Sequence, residues 1–259
     1  MAGSSELSIQ GIRIRERVIG EGPPVLMAHG WGASIDLMRP LALPLSRLGY
    51  QCLMLDLPGF GGSAEPEQAF TIQDYASFCI DYLNHHNLKS VNFFGHSLGG
   101  RIGLVLAAAH PQRIVKMALS NSAGIRVEPT SLQRFRLQTY HKVRRGLESI
   151  GAAAAAARLR QRYNQHYGSP DYQNASPVMR QTLIQVVNED LLAYAARVSA
   201  PTILVWGDAD LDTPLWMGRK LEKTISDAAL IVHEGAGHYA YLDFPEKTAE
   251  IMDALFRGA

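Results

Sequence analysis

The chain has 259 residues, of which 47% are hydrophobic, so it can bury a sizeable core and suits one domain with an insertion better than two independent domains. Its 25 basic and 24 acidic residues nearly cancel, which argues against a surface that binds nucleic acid or an anionic membrane over the whole protein. No apolar stretch reaches the roughly 18 residues of a membrane span, and residues 1–10 lack the pattern of a secretory signal. We therefore expect a cytoplasmic protein.

The apolar runs along the chain predict a sheet that is mostly parallel. Two alternating stretches at residues 6–10 and 12–19 predict an antiparallel hairpin at its edge. Six later runs are short and hardly alternate, as strands covered on both faces do: 25–28, 51–55, 91–94, 114–119, 202–206 and 230–232. Helical patterns separate these runs, at about 37–48, 72–84, 98–109, 215–224 and 245–256. This alternation predicts an α/β fold with helices on both faces and ligands at the carboxyl ends of the strands.

Residues 121–198 interrupt this alternation with helical patterns. A second helical group spans residues 177–197, and Gly168-Ser169-Pro170 separates it from the first. The alanine tract at 152–157 is expected to continue the first helix and to pack tightly. We expect a core formed by residues 1–120 and 199–259, with residues 121–198 as a helical lid over the strand ends. An apolar stripe recurs at three- and four-residue steps in the first helix: Leu132, Phe135, Thr139, Val143, Leu147 and Ile150.

The lid segment also carries most of the charge asymmetry of the chain. From residue 121 to residue 197 there are eleven basic and five acidic residues, a net charge of +6. Such a charge can steer an anionic substrate towards a site. Because most of these arginines lie off the apolar stripe, we favour a solvated lid face over steering.

A possible nucleophile lies in the segment Gly95-His96-Ser97-Leu98-Gly99, directly between a predicted strand and a predicted helix. This is the G-x-S-x-G nucleophile elbow in the structural context that the motif requires. The glycines two positions away from the serine let strand and helix approach closely, and the turn exposes the serine Oγ. The first N–H groups of the following helix have no partner in that helix, so they can stabilise an oxyanion.

A serine nucleophile needs a base and an acid that orients this base. His238 is the best candidate for the base, because it lies in a glycine-rich loop after the last strand. His96 is adjacent to the serine, and we interpret it as a packing residue, since neighbours on a sharp turn point apart. His233 is interpreted as a structural histidine. Three aspartates that follow the strand at 202–206 compete for the role of the acid: Asp208, Asp210 and Asp212.

Taken together, these motifs resemble the α/β-hydrolase superfamily, in which Ser, Asp and His follow one another in this order. The resemblance covers nearly the whole chain and includes His29-Gly30-Trp31-Gly32 and the segment that begins with Asp56. It implies that Asp210 is the acid. It also implies an oxyanion hole formed by the backbone N–H groups of Trp31 and Leu98. His29 and Asp56 are then expected to shape loops rather than to take part in catalysis.

The resemblance and the serine imply a carboxylesterase that cleaves small to medium esters through an acyl-enzyme. Dehalogenases and epoxide hydrolases of this fold need an aspartate at position 97, so they are disfavoured. A carbon–carbon bond hydrolase or lyase remains an alternative, although the Gly-Pro-Gly expected of such hydrolases is absent from residues 29–34. Cofactor-free perhydrolysis is another alternative, because Trp31 in His29-Gly30-Trp31 resembles the perhydrolase subgroup of this family. A small-ligand receptor with vestigial hydrolysis is a further alternative.

Arg101 resembles an arginine that binds a substrate carboxylate in the menaquinone-pathway lyases of this fold. The competing interpretation is a helix-surface arginine paired with a carboxylate. Cys52 and Cys79 are expected to be reduced core residues rather than a disulfide or a metal pair. No Cys/His cluster has the spacing of a zinc site, and the glycines at 59–62 lack the lysine of a phosphate loop. We expect no metal and no cofactor. The oligomeric state is left open.

Overall fold

The computed structural model describes residues 4–128 and 130–258. The strands are β1 (Ser5–Ile9), β2 (Ile12–Ile19), β3 (Pro24–Ala28), β4 (Gln51–Leu55), β5 (Val91–His96), β6 (Ile114–Ser120), β7 (Thr202–Gly207) and β8 (Ala228–His233). They form one eight-stranded sheet in the order β1-β2-β4-β3-β5-β6-β7-β8. The pairs β1–β2 and β2–β4 are antiparallel, and the other neighbouring pairs are parallel. The edge hairpin and the mostly parallel sheet are confirmed.

Helices cover both faces of this sheet, as predicted. They are α1 (Ile35–Arg47), α2 (Ile72–His85), α3 (Leu98–Ala109), α4 (Ser131–Ser149), α5 (Ala153–Tyr167), α6 (Pro170–Asn174), α7 (Pro177–Asn188), α8 (Leu192–Ala195), α9 (Leu215–Thr224), α10 (Ala240–Asp243) and α11 (Pro245–Arg257). Successive strand side chains point to opposite faces, so Leu26 packs with α2 and α3 whereas Met27 packs with α1 and α11. Both faces are buried, which explains why the strands hardly alternate in sequence. None of the helices in the described parts of the chain has the length and apolar composition needed to cross a bilayer.

The two cysteines lie on opposite sides of the sheet. Cys52 on β4 belongs to the core between the sheet and α1, and Cys79 on α2 belongs to the other core. Both are free and buried, and burial raises the pKa of each thiol to about 12. The expectation of reduced core cysteines is confirmed.

A buried carboxylate on the loop after β4 joins three parts of the fold. Asp56 accepts a hydrogen bond from Arg15 Nε on β2 at 2.6 Å, from the N–H of Gly62 at 2.7 Å and from the N–H of Ile35 at the start of α1 at 2.7 Å. Its side chain is fully buried and its oxygens are occupied by these donors. Asp56 therefore shapes the loop, as interpreted from the sequence.

The helices between β6 and β7 differ in one respect from the expectation. We call α4 to α7 the cap helices; in the described chain between β6 and β7, every regular element is a helix. Gly151, at φ +77°, ends the first helix, so the alanine tract starts a new one instead of continuing it. Only Ala156 of this tract is buried, so the prediction of tight packing is wrong. Helix propensity favours a helix at the alanines but does not supply a surface for them to pack on. The division of the chain into core and lid stays a prediction.

We expect Arg15→Met to lower the free energy of unfolding by about 2 kcal/mol, because the change leaves the buried Asp56 carboxylate without its cation. Arg47→Met is the matched control, since Arg47 pairs with Glu246 where both side chains are exposed, and its effect should stay within about 0.5 kcal/mol. Urea unfolding of the two variants measures the difference. Equal effects would contradict a structural role for the Asp56 cluster.

Candidate active site

Ser97 lies at the sharp turn between β5 and α3. Its backbone has φ 50° and ψ −105°, in the left-handed region that side chains rarely occupy. The turn is held by neighbouring backbone, because the Ser97 N–H donates to the Ser120 carbonyl and the Ala123 N–H donates to the Ser97 carbonyl, each at 3.2 Å. Backbone at and directly after the end of β6 thus holds Ser97 in its strained conformation, and such strain is a feature of functional sites.

Glycines allow the close approach of strand and helix at this turn. A Cβ atom at Gly99 would overlap the carbonyl oxygen of Ala28, and one at Gly95 would lie 2.5 Å from the carbonyl oxygen of Gly99. No side chain fits at either position without displacing backbone. The G-x-S-x-G spacing is thus explained by contacts between β3, β5 and α3.

The loop after β3 lies against the serine. A Cβ atom at Gly30 would be 3.3 Å from Ser97 Cβ, so the backbone next to Trp31 is adjacent to Ser97. His29 shapes this loop: its Nε2 accepts the N–H of Leu57 at 3.0 Å, so Nδ1 carries the proton and donates to the Gly30 carbonyl at 2.7 Å. The structure therefore brings Trp31, the predicted oxyanion residue, to the same cavity as Ser97 and Leu98.

His238 is hydrogen-bonded to Asp210, with 2.9 Å between Nδ1 and Oδ2. The Asp210 carboxylate also accepts hydrogen bonds from Asn121 Nδ2, from Thr213 Oγ1 and from the N–H groups of Asp212 and Thr213, at 2.6 to 2.9 Å. Burial alone would raise the pKa of Asp210, but the hydrogen bonds from His238, Thr213 and Asn121 outweigh burial and hold this pKa well below its usual range. Asp210 is thus an ionised partner that fixes the orientation of the imidazole.

The other two aspartates of this loop do not contact His238 in this way. Asp208 is exposed and accepts the N–H of Gly235 at 2.7 Å. Asp212 is exposed at the edge of the cavity. Asp210, Asp212 and His238 could each offer one ligand atom to a metal ion within 4.8 Å of one another. However, both oxygens of Asp210 already accept hydrogen bonds, which suits an orienting role better than metal coordination.

His96 contacts His238 as well as packing in the core. Its Nε2 lies 2.9 Å from the backbone carbonyl of His238, and its ring is 4.7 to 5.1 Å from the rings of His238, Tyr239 and Tyr241. Burial lowers the pKa of His96 to about 3, so the ring is neutral and Nε2 donates the bond. The structure shows the predicted packing of His96. It also shows a hydrogen bond to the His238 backbone that was not predicted. His233 is buried beside Thr248, as a structural histidine would be.

Sequence reasoning missed Asn121 and Thr213. Asn121 directly follows β6, at φ 47°, and β6 pairs with β7, the strand that precedes Asp210. A polar residue directly after the neighbouring strand was the available signal, since the carboxyl ends of parallel strands lie side by side.

A cavity of about 960 Å³ joins these groups. Its lining includes Ser97, His238, Trp31 and Leu98, together with apolar and aromatic side chains of the cap helices. The lining tyrosines are Tyr140, Tyr163, Tyr167, Tyr172 and Tyr239.

Arg101 of α3 also lines the cavity. It is buried, and its guanidinium donates to the backbone carbonyl of Glu189 at 2.9 Å. Burial lowers the pKa of Arg101 to about 10, although the negative charges of Glu189 and Asp190 act to raise this pKa. Within residues 4–128 and 130–258 it makes no ion pair at 4 Å or less, so the interpretation as a surface arginine paired with a carboxylate is wrong. The helix that follows the elbow is covered on every side, which its short apolar pattern did not indicate.

A family model described as alpha/beta hydrolase fold matches residues 23–245 of the chain. The chain belongs to the α/β-hydrolase fold family. It is an enzyme of the α/β-hydrolase superfamily, and its mostly parallel eight-stranded sheet has the fold of that superfamily.

Three relatives are similar over most of the chain. The pimeloyl-[acyl-carrier protein] methyl ester esterase of Chromobacterium violaceum is 28% identical, over 91% of this chain and 96% of its own. The 2-hydroxy-6-oxo-6-(2'-aminophenyl)hexa-2,4-dienoic acid hydrolase of Metapseudomonas resinovorans is 25% identical, over 92% and 86%. The dihydrolipoyllysine-residue acetyltransferase component of the acetoin cleaving system of Pseudomonas putida is 26% identical over 91% of this chain, which spans only 64% of that protein.

We expect the stabilising effect of Asp210 to depend on pH. Its folded-state pKa lies below the usual 3.8, so the ionised carboxylate stabilises the fold above that pH, and the contribution is lost as the pH falls towards the folded pKa. The difference in unfolding free energy between the wild type and Asp210→Asn should therefore narrow between pH 5 and about pH 3. Urea unfolding across this range measures it, with Asp208→Asn as the exposed control. A difference that does not change with pH would contradict this assignment.

Proposed function

We propose that the chain is a serine hydrolase that cleaves carboxylic esters of small to medium size through an acyl-enzyme. Ser97 is the nucleophile, His238 the general base and acid, and Asp210 the residue that orients His238. The observation that carries the proposal is the cavity that Ser97, in its left-handed turn, shares with His238, which is hydrogen-bonded to the buried Asp210 behind it.

The mechanism follows from which ring nitrogen of His238 is already hydrogen-bonded to Asp210. Because Nδ1 of His238 donates to Asp210, Nε2 is the nitrogen that takes the proton as Ser97 Oγ attacks the ester carbonyl. The N–H groups of Trp31 and Leu98 stabilise the negative oxygen of the tetrahedral intermediate. His238 then gives the proton to the departing alcohol. A water molecule attacks the acyl-serine with the same help, which releases the acid and restores the serine hydroxyl.

The cavity suggests the size and character of the substrate. About 960 Å³ lies at the upper end of the range for small-molecule sites, and aromatic side chains of the cap helices supply much of the wall. An apolar acyl group of medium size suits this lining. Ester chemistry is supported by the Chromobacterium violaceum relative, which is named as a methyl ester esterase.

We expect Ser97→Ala to lower the turnover of p-nitrophenyl esters by about 10⁴-fold or more and to abolish labelling by a fluorophosphonate, since no other group would attack the carbonyl. The thermal midpoint should hardly change, because alanine fits the same turn. Ser77→Ala, at an exposed position on α2, is the matched control and should keep both activities. Retention of more than a tenth of the activity would exclude Ser97 as the nucleophile. Labelling of Ser97 without turnover of any ester would favour a receptor with vestigial hydrolysis.

A second candidate is a carbon–carbon bond hydrolase or lyase that uses the same three residues on a substrate with a carboxylate. Arg101 favours it, because this buried guanidinium lines the cavity and, within the described residues, donates its one hydrogen bond to a neutral carbonyl. Guanidinium groups pair with carboxylates through two parallel hydrogen bonds. The relative from Metapseudomonas resinovorans is named for a dienoic acid, which carries such a group.

We expect Arg101→Met to lower kcat/KM for a monomethyl ester of a dicarboxylic acid at least tenfold more than for the matching dimethyl ester, because only the first offers a carboxylate. Arg126→Met, on an exposed residue outside the cavity, is the control and should affect both esters alike. If Arg101→Met changes both esters by the same factor, the arginine does not select for a carboxylate, and the neutral-ester proposal is favoured.

A further inference from the structure

Most of the apolar stripe predicted on α4 faces solvent, although Leu147 is half-buried. Leu132, Phe135 and Val143 are 72%, 68% and 49% exposed, and Ile150, directly after the helix, is 76% exposed. At 100° per residue these positions fall within about one third of the helix circumference. Single apolar side chains on a surface are ordinary, but a continuous row of large ones marks a surface that binds something.

This stripe is separate from the candidate active site. Leu137 and Tyr140 are the residues of α4 that line the cavity, whereas Leu132, Phe135, Val143 and Ile150 do not line it. At 100° per residue, Tyr140 lies about 80° and Leu137 about 140° around the helix from Leu132. Tyr140 stacks on Tyr163 of α5, with ring centroids 4.1 Å apart. The cavity and the α5 contact therefore use the flank of α4 next to the stripe, and the exposed apolar residues of the stripe take part in neither.

Positive charge surrounds the stripe. Between Ser131 and Ser149, α4 has five basic residues and one acidic residue, Glu148, and α5 adds three arginines and no acid. None of these basic side chains lines the cavity, which argues against steering of a substrate into the site. Six of these basic side chains are exposed: Arg134, Lys142, Arg145, Arg158, Arg160 and Arg162.

We propose that this face of α4 and α5 docks on an anionic lipid surface, with α4 lying in the plane of the interface. An apolar row flanked by arginine and lysine on one helix is the pattern of helices that bind there. The row runs from Leu132 to Ile150, about 27 Å at 1.5 Å per residue, which suits a flat surface of acyl chains better than a local pocket of a protein. The chain as a whole is nearly neutral, but this does not conflict with the proposal. The excess of positive charge lies in the segment 121–197, which contains the cap helices.

The docked face would border the candidate active site. Val127 and Leu137 are exposed and also line the cavity, so they connect its wall with the surface beside the stripe. An apolar ester dissolved in the lipid would have a short path to Ser97. The docking itself does not depend on catalysis.

The test is co-sedimentation of the full chain carrying Ser97→Ala with extruded vesicles, in 0.05 M salt. We expect binding to phosphatidylcholine vesicles with 30% phosphatidylglycerol and at least tenfold weaker binding to phosphatidylcholine alone. Lys142→Gln with Arg145→Gln should weaken anionic binding by about 25-fold, at about fivefold per charge. Leu132→Gln with Phe135→Gln should weaken it at least tenfold, because two apolar side chains no longer enter the lipid.

Controls separate docking from folding and from charge alone. Leu43→Gln with Val115→Gln removes two exposed apolar side chains outside the cap helices and should leave binding unchanged. Circular dichroism should show all variants folded, since the changed side chains are exposed.

Four results would overturn the proposal. The first is absence of binding to both kinds of vesicle. The second is full vesicle binding by the Leu132→Gln and Phe135→Gln variant, and the third is equally strong binding to polyglutamate; either would mean that the surface binds acidic polymers through charge alone. The fourth is a dimer in size-exclusion chromatography that the same variant abolishes, which would make a second copy of the chain the occupant.

Discussion

The contact between β5 and α3 is the constraint on which the candidate site depends. Backbone atoms meet there with no room for a side chain at Gly95 or Gly99, and Ser97 lies in a left-handed conformation between them. That conformation costs free energy, which the surrounding hydrogen bonds and buried strands offset. The same contact fixes the distance between the serine and the loop after β3, because Gly99 donates its N–H to the carbonyl of His29 at 3.1 Å. The position of Trp31 relative to Ser97 thus follows from main-chain packing.

The other half of the site is organised around one carboxylate. Asp210 gathers donors that follow β6, β7 and β8, three strands that are neighbours in the sheet. His96 links the two halves, because it belongs to β5 and donates to the backbone of His238. Since the pKa of His96 is far below neutrality, this link keeps one hydrogen-bonding pattern throughout the physiological pH range. The imidazole of His238 is therefore held at its ring by Asp210 and at its backbone by His96.

Much of the fold could be predicted because burial on both faces leaves a clear pattern in sequence. The strands were found from unalternating apolar runs, and Ser97 from the glycines that its turn requires. Asp210 could not be separated from Asp208 and Asp212 by local pattern, and only the resemblance to a family favoured it. His96 contacts His238 across a large distance in sequence, so no local signal indicated that contact. For Asn121 the available signal was its place directly after the strand next to β7. The cap helices were predicted as helices, but tertiary packing decides which of their faces meet a neighbour. The alanine tract illustrates this, because its helix propensity is high and yet only Ala156 is buried.

The burial of Cys52 and Cys79 makes the chain suitable for site-specific labelling with maleimides. Cys52 and Cys79 are buried on opposite sides of the sheet, and with pKa values near 12 they remain protonated at neutral pH. Maleimides react with the thiolate, so these two sites give almost no background. A cysteine introduced on the outer face of α4 would be the one reactive group in the folded chain. The wild-type sequence is therefore ready for single-site fluorophores or spin labels that report the environment of the cap helices, with no cysteine to remove first.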